Sequence, residues 1–372
     1  MDRVTKAWRF FAAVRRGCGW HGVPLAVGLR HAAALYAEGF SPREIVSYAL
    51  YVPAVRQRYP LLISKERSLA RLLAINPARH HDQTEDKDTF YRLCAERGLP
   101  FPQHYGSVHG GVAYLPDGRP AETRAAWREH LRTALPADFV VKDLGGAYGS
   151  GFTAWRREAG DRFTNLGTGA HHSLDDMIEA WHRWSGFGGV VIQQRVYDAE
   201  PLRRLCGVRT LQTFRVVTEL RDGRPSVLFH FQKVVVGDSL TDNFAGGTTG
   251  NLLAFFDRDS GLLDVALQLS PGGSGLVEVT THPLTGASIR GFALPHFQAA
   301  LELAQRAQMA FPDLPCLGWD IALTDDGPLL IEANARWDPP NYRPEVLSAA
   351  DWRRLFGPPP AEAEDATRQA AA

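Results

Sequence analysis

The chain has 372 residues, 45% of them hydrophobic and 22% charged, a composition that can build a full core and excludes wholesale disorder. Its 41 basic and 41 acidic residues give a formal net charge of zero, which argues against a general nucleic-acid binder because such binding depends on phosphate neutralisation. The sequence lacks an apolar run of about 18 residues and a signal-peptide layout, and its four cysteines are isolated, so we expect a cytoplasmic protein without a transmembrane segment.

The first 80 residues are predicted to form a helical region. Ser41-Pro42-Arg43-Glu44 has the layout of a capping box with proline at the first helical position, which predicts a helix start. Nearer the N-terminus, Trp8 and Arg15 share one face of a basic amphipathic helix. We favour packing of this helix on the body of the protein, and peripheral contact with a membrane surface is the alternative.

A mixed region of helices and strands follows. Thr84 is predicted to cap a helix over 85–97, and Gly98 ends it. Runs of β-branched and aromatic residues predict strands over 111–115, 139–143, 152–155, 190–196, 211–220, 226–236, 317–324 and 328–334. The predicted domains are a helical region over 1–80, an N-terminal lobe over 81–189, a C-terminal lobe over 190–355 and a disordered tail over 356–372.

The last predicted hairpin carries a candidate metal site. Glu332 and Asn334 are two residues apart on one strand, so they point from the same face, and Asp320 on the preceding strand falls opposite one of them. Three hard oxygen ligands at one patch suit Mg²⁺. The alternative is a polar strand face in water, but the flanking Leu329, Leu330 and Ile331 indicate a buried strand, where unpaired acids are costly.

A second candidate site is a strand that ends in Lys142 and runs into a glycine-rich loop, Gly145–Gly151. Glycines let backbone amides approach an anion closely, so the loop predicts phosphate binding, with an ordinary flexible hairpin as the alternative. Among the 41 basic residues, the lysines are Lys6, Lys65, Lys87, Lys142 and Lys233. A lysine kept in an arginine-rich chain is a candidate for a compact point charge that a planar guanidinium cannot replace.

Two further strands carry cations. Arg215 lies on a predicted strand face where it could clamp a carboxylate or a phosphate, or could be solvated. Lys233 lies on the following strand, after a turn at Asp222-Gly223, so the two cations are candidate neighbours. The loop that follows contains Asn243 and is also suited to contact with an anion.

Taken in order, these motifs resemble the ATP-grasp superfamily and, within it, the sugar-transfer associated ATP-grasp family. The resemblance spans about residues 60 to 340. The matching segments are Asp86-Lys87, Val141-Lys142, Val191-Ile192-Gln193, Thr213-x-Arg215-x-x-Thr218, Asp242-Asn243-x-x-Gly246-Gly247, His282-Pro283-x-Thr285-Gly286, Gly318-Trp319-Asp320-Ile321 and Gly327-Pro328-x-x-Ile331-Glu332-x-Asn334. The implied fold is α+β, with two αβ lobes of mainly antiparallel sheets that clamp ATP, preceded here by the helical region.

The resemblance also implies roles for individual residues. Those implied to contact the nucleotide are Lys87, Lys142, Gly145, Gly146, Gly149, Ser150, Gln193, Gln194, Val196, Asp198 and Glu200. The backbone of Gln194 and Val196 is implied to meet the adenine, and Asp198 or Glu200 to accept the ribose hydroxyls. Those implied to hold Mg²⁺ are Asp320, Glu332 and Asn334, with two ions expected and Mn²⁺ as an alternative. Those implied to face the transferred phosphoryl group are Arg215, Lys233 and Asn243.

The activity implied by the resemblance is that of an ADP-forming ligase with small-molecule substrates. A carboxylate would be activated as an acylphosphate and then transferred to an amine or a thiol, in polysaccharide or secondary-metabolite biosynthesis. The first alternative is a kinase that phosphorylates a sugar or polyol hydroxyl, and the second is a nucleotide-binding module without catalysis. Neither the substrates nor the oligomeric state follow from the sequence.

Overall fold

The computed structural model describes residues 3–58, 61–146, 151–184, 186, 188–239, 241–257 and 260–357. Over these residues, helices come first and a mixed body of two sheets follows. The helices are α1 (Arg3–His21), α2 (Leu25–Ala37), α3 (Pro42–Ser47), α4 (Pro53–Arg58), α5 (Lys65–Ile75), α6 (Asp82–Glu85), α7 (Lys87–Glu96), α8 (Arg124–Ala134), α9 (Leu174–His182), α10 (Glu200–Cys206), α11 (Phe297–Ala310) and α12 (Ala349–Phe356). None of the helices described is long and apolar enough to cross a bilayer.

Local sequence explains where several helices begin. Ser41 caps α3 in the predicted capping box, because its side chain accepts from the Glu44 amide while the Glu44 carboxylate accepts from the Ser41 amide. The predicted start of α7 was two residues too early: Asp86, and not Thr84, is the capping residue, since its carboxylate accepts from the Thr89 amide. Lys87 is therefore the first residue of α7.

Within the part of the chain that the structure describes, the first sheet has seven strands, and all of its neighbouring pairs are antiparallel. The strands are β1 (His104–His109), β2 (Val112–Tyr114), β3 (Asp138–Asp143), β4 (Thr153–Arg157), β5 (Arg162–Asn165), β6 (His171–Ser173) and β7 (Val190–Gln194). Their order is β2-β1-β7-β3-β4-β5-β6. The strand that begins at the predicted lobe boundary, β7, is thus hydrogen-bonded in the middle of the first sheet.

The described residues of the second sheet also form seven strands in antiparallel pairs. The strands are β8 (Thr213–Arg221), β9 (Arg224–Val234), β10 (Leu252–Phe256), β11 (Leu263–Leu269), β12 (Leu276–Val279), β13 (Cys316–Thr324) and β14 (Gly327–Asn334). Their order is β12-β11-β10-β9-β8-β13-β14. The β8–β9 turn has positive φ at both Asp222 and Gly223, as a type I′ hairpin turn requires. Two mainly antiparallel sheets with helices confirm the predicted α+β class.

Because side chains alternate along the strands, each sheet has one apolar face and one face that carries the predicted site residues. In the first sheet, Phe139 and Val141 of β3 pack with α8 and α9, whereas Val140 and Lys142 point to the opposite side. In the second sheet, Phe214 of β8 belongs to the core cluster that includes α11. The neighbouring residues on β8 therefore face away from α11.

The N-terminal helices are joined to the second sheet by buried polar contacts. Asn76, at the end of α5, donates to the carbonyls of Cys316 and Ala335 at 2.6 and 2.8 Å. Asn341 exchanges two hydrogen bonds with the backbone of Ile63. These fully buried amides hold the helical region against the strands that form the candidate site.

Candidate nucleotide and metal site

A row of charged side chains crosses neighbouring strands of the second sheet. Asp320 of β13 is directly opposite Glu332 of β14 on one side and Arg215 of β8 on the other. This register confirms the predicted pairing of Asp320 with one of the two polar residues on β14; Asn334 instead pairs with Gly318. A Cβ atom at Gly318 would lie 3.1 Å from the Arg215 guanidinium, so glycine leaves the space that the arginine occupies.

Asp320 is held between two cations. Its two carboxylate oxygens accept from Nε and Nη2 of Arg215 at 2.7 and 2.9 Å, and Lys233 Nζ lies 3.1 Å from Oδ1. Burial alone would raise the pKa of Asp320, but Arg215 and Lys233 outweigh this effect and hold that pKa well below its ordinary value. Asp320 is therefore ionised at neutral pH.

Lys233 also approaches a second carboxylate, that of Asp242, which precedes the predicted Asn243. Asp242 Oδ1 lies 3.7 Å from Lys233 Nζ, and its Oδ2 accepts from the amide and the hydroxyl of Thr213 at 2.7 and 2.6 Å. Thr213 shares the strand face of Arg215. The loop that follows β9 is thus fixed against the polar face of the sheet.

The opposite wall of the cleft carries Lys142, whose partner is a neutral amide. Lys142 Nζ donates to Gln193 Oε1 at 2.8 Å. Burial lowers the pKa of Lys142 to about 8, nearby Lys87 lowers it too, and Glu332 and Asp242 act in the opposite direction. Among the residues that the structure describes, no carboxylate is hydrogen-bonded to Lys142, so this cation can pair with an incoming anion.

Lys87 contacts both the start of the glycine-rich loop and β14, the strand that carries Glu332. Its Nζ donates to the carbonyl of Gly146 at 2.7 Å and lies 3.7 Å from Glu332 Oε1. A lysine at the first position of a helix opposes the helix dipole, so its presence there indicates a role other than stabilising α7.

Tyr91, one helical turn after Lys87, was not predicted to belong to the site. Its hydroxyl lies 2.8 Å from the carbonyl of Ile331 on β14 and 3.2 Å from Gln193 Oε1 on β7. The side chain is fully buried and so joins the two sheets behind Lys142. The signal that the sequence offered was the spacing of four, which places Tyr91 on the same face of α7 as Lys87.

These groups surround one cleft between the two sheets. The predicted residues that line it are Lys87, Lys142, Gly146, Gln193, Gln194, Val196, Lys233, Asn243, Asp320 and Glu332. Arg215 lies behind Asp320 and contacts its carboxylate, while Gly145 and Asn334 are not among the lining residues. Asp143, Phe152, Thr213 and Asp242 line the cleft without having been predicted as site residues.

The two candidates for ribose contact do not lie in this cleft. Asp198 is buried, and its carboxylate accepts from the backbone amide and the side chain of Gln212. Burial raises the pKa of Asp198 to about 8, although the Gln212 hydrogen bonds oppose the shift. Glu200 is exposed at the start of α10, where it pairs with Arg204 at 2.7 Å and lines a separate cavity. Proximity in sequence to β7 did not predict these orientations.

The glycine-rich loop is described at its two ends. Gly145 and Gly146 follow β3, whereas Gly149 and Ser150 lie outside the described residues. Gly151 has φ of 66°, and a Cβ atom there would lie 2.2 Å from the Asp143 carboxylate carbon. The loop therefore returns in close contact with the end of β3, where a side chain would not fit.

The oxygen donors on β13 and β14 fit a magnesium ion. Asp320 and Glu332 form a cross-strand pair on one face, where Cβ atoms are about 5 Å apart. Asn334, two residues beyond Glu332, donates from Nδ2 to the Gly318 carbonyl at 3.4 Å, which leaves its amide oxygen as the third donor. Hard oxygen ligands of this kind, completed by phosphate oxygens and water, are the set that Mg²⁺ prefers.

Comparison with protein families and solved structures gives the following similarities. N5-carboxyaminoimidazole ribonucleotide synthetase, in an ADP complex, has 13% identity and a TM-score of 0.37 over 70% of this chain and 46% of that chain. L-amino acid ligase from Bacillus licheniformis has 14% identity and a TM-score of 0.34 over 68% of this chain and 41% of that chain. D-alanine–D-alanine ligase from Bacillus anthracis has 12% identity and a TM-score of 0.37 over 78% of this chain and 70% of that chain.

The chain thus spans less than half the length of the first two of these proteins. No curated protein matches it significantly. The family described as "Sugar-transfer associated ATP-grasp" matches residues 67–341, which include every described side chain of the cleft. Because this match covers most of the 372 residues, the chain belongs to the sugar-transfer associated ATP-grasp family.

Proposed function

We propose that this protein is an ADP-forming ligase that uses ATP to activate a carboxylate and transfers the acyl group to an amine or a thiol. One observation carries the proposal: Lys233, Arg215, Asp320 and Glu332 lie in a row across the second sheet, and that row faces Lys142 across one cleft. A triphosphate would place its negative charge between the two walls. The matched family supports the ATP-grasp chemistry.

In the first step of the proposed reaction, a carboxylate oxygen attacks the γ-phosphorus of ATP. The bond from that phosphorus to the bridging oxygen breaks, and ADP leaves with the electron pair. In the second step, the amine or thiol attacks the acyl carbon, inorganic phosphate departs, and the nucleophile loses its proton to solvent. The residues of the cleft contribute mainly by positioning and by neutralising charge.

Each wall has a distinct part in this reaction. Lys142 and Lys87 would bind the phosphates from the first sheet and the start of α7. Lys233 would face the transferred phosphoryl group, where fixed cations stabilise developing charge, and Arg215, held against Asp320, would add to the positive potential there. Gln193, Gln194 and Val196 would line the adenine end of the cleft.

Asp320, Glu332 and Asn334 would hold two Mg²⁺ ions, or Mn²⁺ in their place. When bound, the metal supplies positive charge that polarises phosphoryl oxygens. The bonds from Arg215 and Lys233 keep Asp320 ionised, which prepares it as a metal ligand. The first proposed lobe comprises residues 81–189 together with β7. The second comprises the residues after β7 up to residue 355, and the cleft lies between the two lobes.

A hydroxylamine trap tests the proposal. Purified protein is incubated with ATP, Mg²⁺, hydroxylamine and a panel of carboxylic acids, and in parallel with sugars and polyols, and ADP, hydroxamate and phosphorylated products are measured. We expect ADP formation that depends on the acid and a hydroxamate from the same acid, because hydroxylamine captures an acylphosphate. A phosphorylated sugar or polyol without hydroxamate would identify the kinase instead, and nucleotide binding without turnover would identify a non-catalytic module.

Glu332→Ala is the matched loss-of-function variant. We expect ADP formation to fall by about 100-fold or more, since the variant removes a carboxylate from the proposed metal site. Glu302, exposed on α11, provides the control, and Glu302→Ala should keep wild-type turnover. Normal turnover of folded Glu332→Ala would place the metal elsewhere and refute the site.

A further inference from the structure

The N-terminal helices carry an uneven share of the charge. Residues 3–37 contain six basic residues and no aspartate or glutamate. The six are Arg3, Lys6, Arg9, Arg15, Arg16 and Arg30. All 41 acidic residues therefore lie elsewhere in a chain whose formal net charge is zero. A local positive field of this kind attracts anionic partners although the whole protein is neutral.

The inner face of α1 packs against the rest of the protein. Val14 and Cys18 are buried in a cluster with Tyr51, and Gly17 lies so close to the Tyr51 hydroxyl that no side chain would fit between them. Burial on this face directs the opposite face of α1 outward.

The outer face of α1 combines exposed tryptophans with cations. Trp8 is 65% exposed and stacks on Phe11 with ring centroids 5.7 Å apart. Trp20 is 53% exposed and rests on Gly272, so one side of its ring is supported by the body of the protein. The two tryptophans are twelve positions apart, which corresponds to about 18 Å along the helix axis. Arg9 and Arg16, both exposed, lie between them.

We propose that this outer face, defined by Lys6, Trp8, Arg9, Arg15, Arg16 and Trp20, docks on a membrane surface that contains anionic lipids. Tryptophan suits the boundary between headgroups and acyl chains because its ring is apolar and its N–H is polar. Arginine and lysine on the same face complement the anionic headgroups. The interleaving of the two residue types along one helix favours a lipid surface, where both are satisfied at the same depth.

Vesicle co-sedimentation of the full chain tests the proposal. We expect pelleting with vesicles of phosphatidylcholine mixed with phosphatidylglycerol at low salt, weaker pelleting at high salt, and little with phosphatidylcholine alone. Each basic residue removed from the surface should weaken partition by about fivefold. The triple variant Trp8→Ala, Arg9→Glu, Arg16→Glu removes two basic residues and should therefore lose at least about 25-fold in partition. These side chains do not contribute to the cleft, so ADP formation and the thermal midpoint should stay at wild-type values.

Matched control changes lie on another surface: Leu284 is 68% exposed and Arg224 is exposed in the β8–β9 hairpin. Leu284→Ala with Arg224→Glu should pellet like the wild type. Equal pelleting with neutral and anionic vesicles, or no pelleting with either, would overturn the proposal. So would unchanged binding by the triple variant. A concentration-dependent dimer that disappears in the triple variant, seen by sedimentation velocity without lipid, would assign the face to a second copy of the chain instead.

Discussion

The two walls of the cleft handle charge in different ways. On the second sheet, Asp320 is bonded to Arg215 and close to Lys233, so most charge is balanced within the protein. On the first sheet, Lys142 is bonded to the neutral Gln193, and burial lowers its pKa to about 8. The second-sheet wall therefore has its charges paired without a ligand. The first-sheet wall holds a cation whose charge an anionic ligand would neutralise.

Because of this difference, mutations in the two walls should have different effects, one on stability and the other on ligand binding. Internal ion pairs fix the positions of their members, and removing one member leaves the others buried and uncompensated. A desolvated lysine without a carboxylate partner instead costs stability and gains most from an incoming anion. We therefore expect changes on the second-sheet wall to act on folding, and changes on the first-sheet wall to act on nucleotide affinity.

The largest effect is expected for Asp320→Asn. This change leaves Arg215 and Lys233 buried without their shared carboxylate, and should lower the free energy of unfolding by about 3–5 kcal/mol. Denaturant unfolding without nucleotide or metal measures it. Asp264→Asn is the control, because Asp264 forms an exposed pair with Arg290, and such pairs contribute about 0–1 kcal/mol. Similar losses for both variants would contradict the proposed contrast between the walls.

A smaller effect is expected from pH, acting through Lys142. Below about pH 8 the lysine is charged, and ATP affinity should be flat; above it the free protein loses the proton that ATP binding requires. Affinity should then fall by up to about tenfold per pH unit until the pKa of the complex is reached. Titration calorimetry at constant ionic strength, above and below this pKa, measures the change.

Two lysine variants complete this experiment. Lys142→Arg should remove the pH dependence because a guanidinium stays charged. This expectation holds whatever the absolute affinity of the variant for ATP. Lys65→Arg should retain it, since Lys65 forms a surface pair with Asp338 at 2.7 Å. A decline with pH that persists in Lys142→Arg would assign the titration to another group.

The smallest effect is expected for Tyr91→Phe, which removes the link between the walls. Loss of the hydroxyl leaves the Ile331 carbonyl without this partner, and should lower the free energy of unfolding by about 1 kcal/mol. Tyr36 is 61% exposed, so Tyr36→Phe should change stability by much less. If the two variants were equally stable, the hydroxyl of Tyr91 would not connect the sheets energetically.

Several features of the site followed from local sequence. Strand alternation placed Glu332 and Asn334 on one face, and the turn after β13 set Asp320 opposite Glu332. The rarity of lysine made each lysine a candidate, and three of the five, Lys87, Lys142 and Lys233, line the cleft. The membership of β7 in the first sheet had no such signal, because an apolar strand pairs equally well with many neighbours.

The sequence by itself determined the α+β class, the polar faces of individual strands and the pairing within the last hairpin, because these depend on residues close together in the chain. Tertiary structure decided which side chains meet across the cleft. It brought Tyr91 and Asp242 to the site and directed Asp198 toward Gln212. Such contacts join residues far apart in sequence, and the packing of two whole sheets sets their distances.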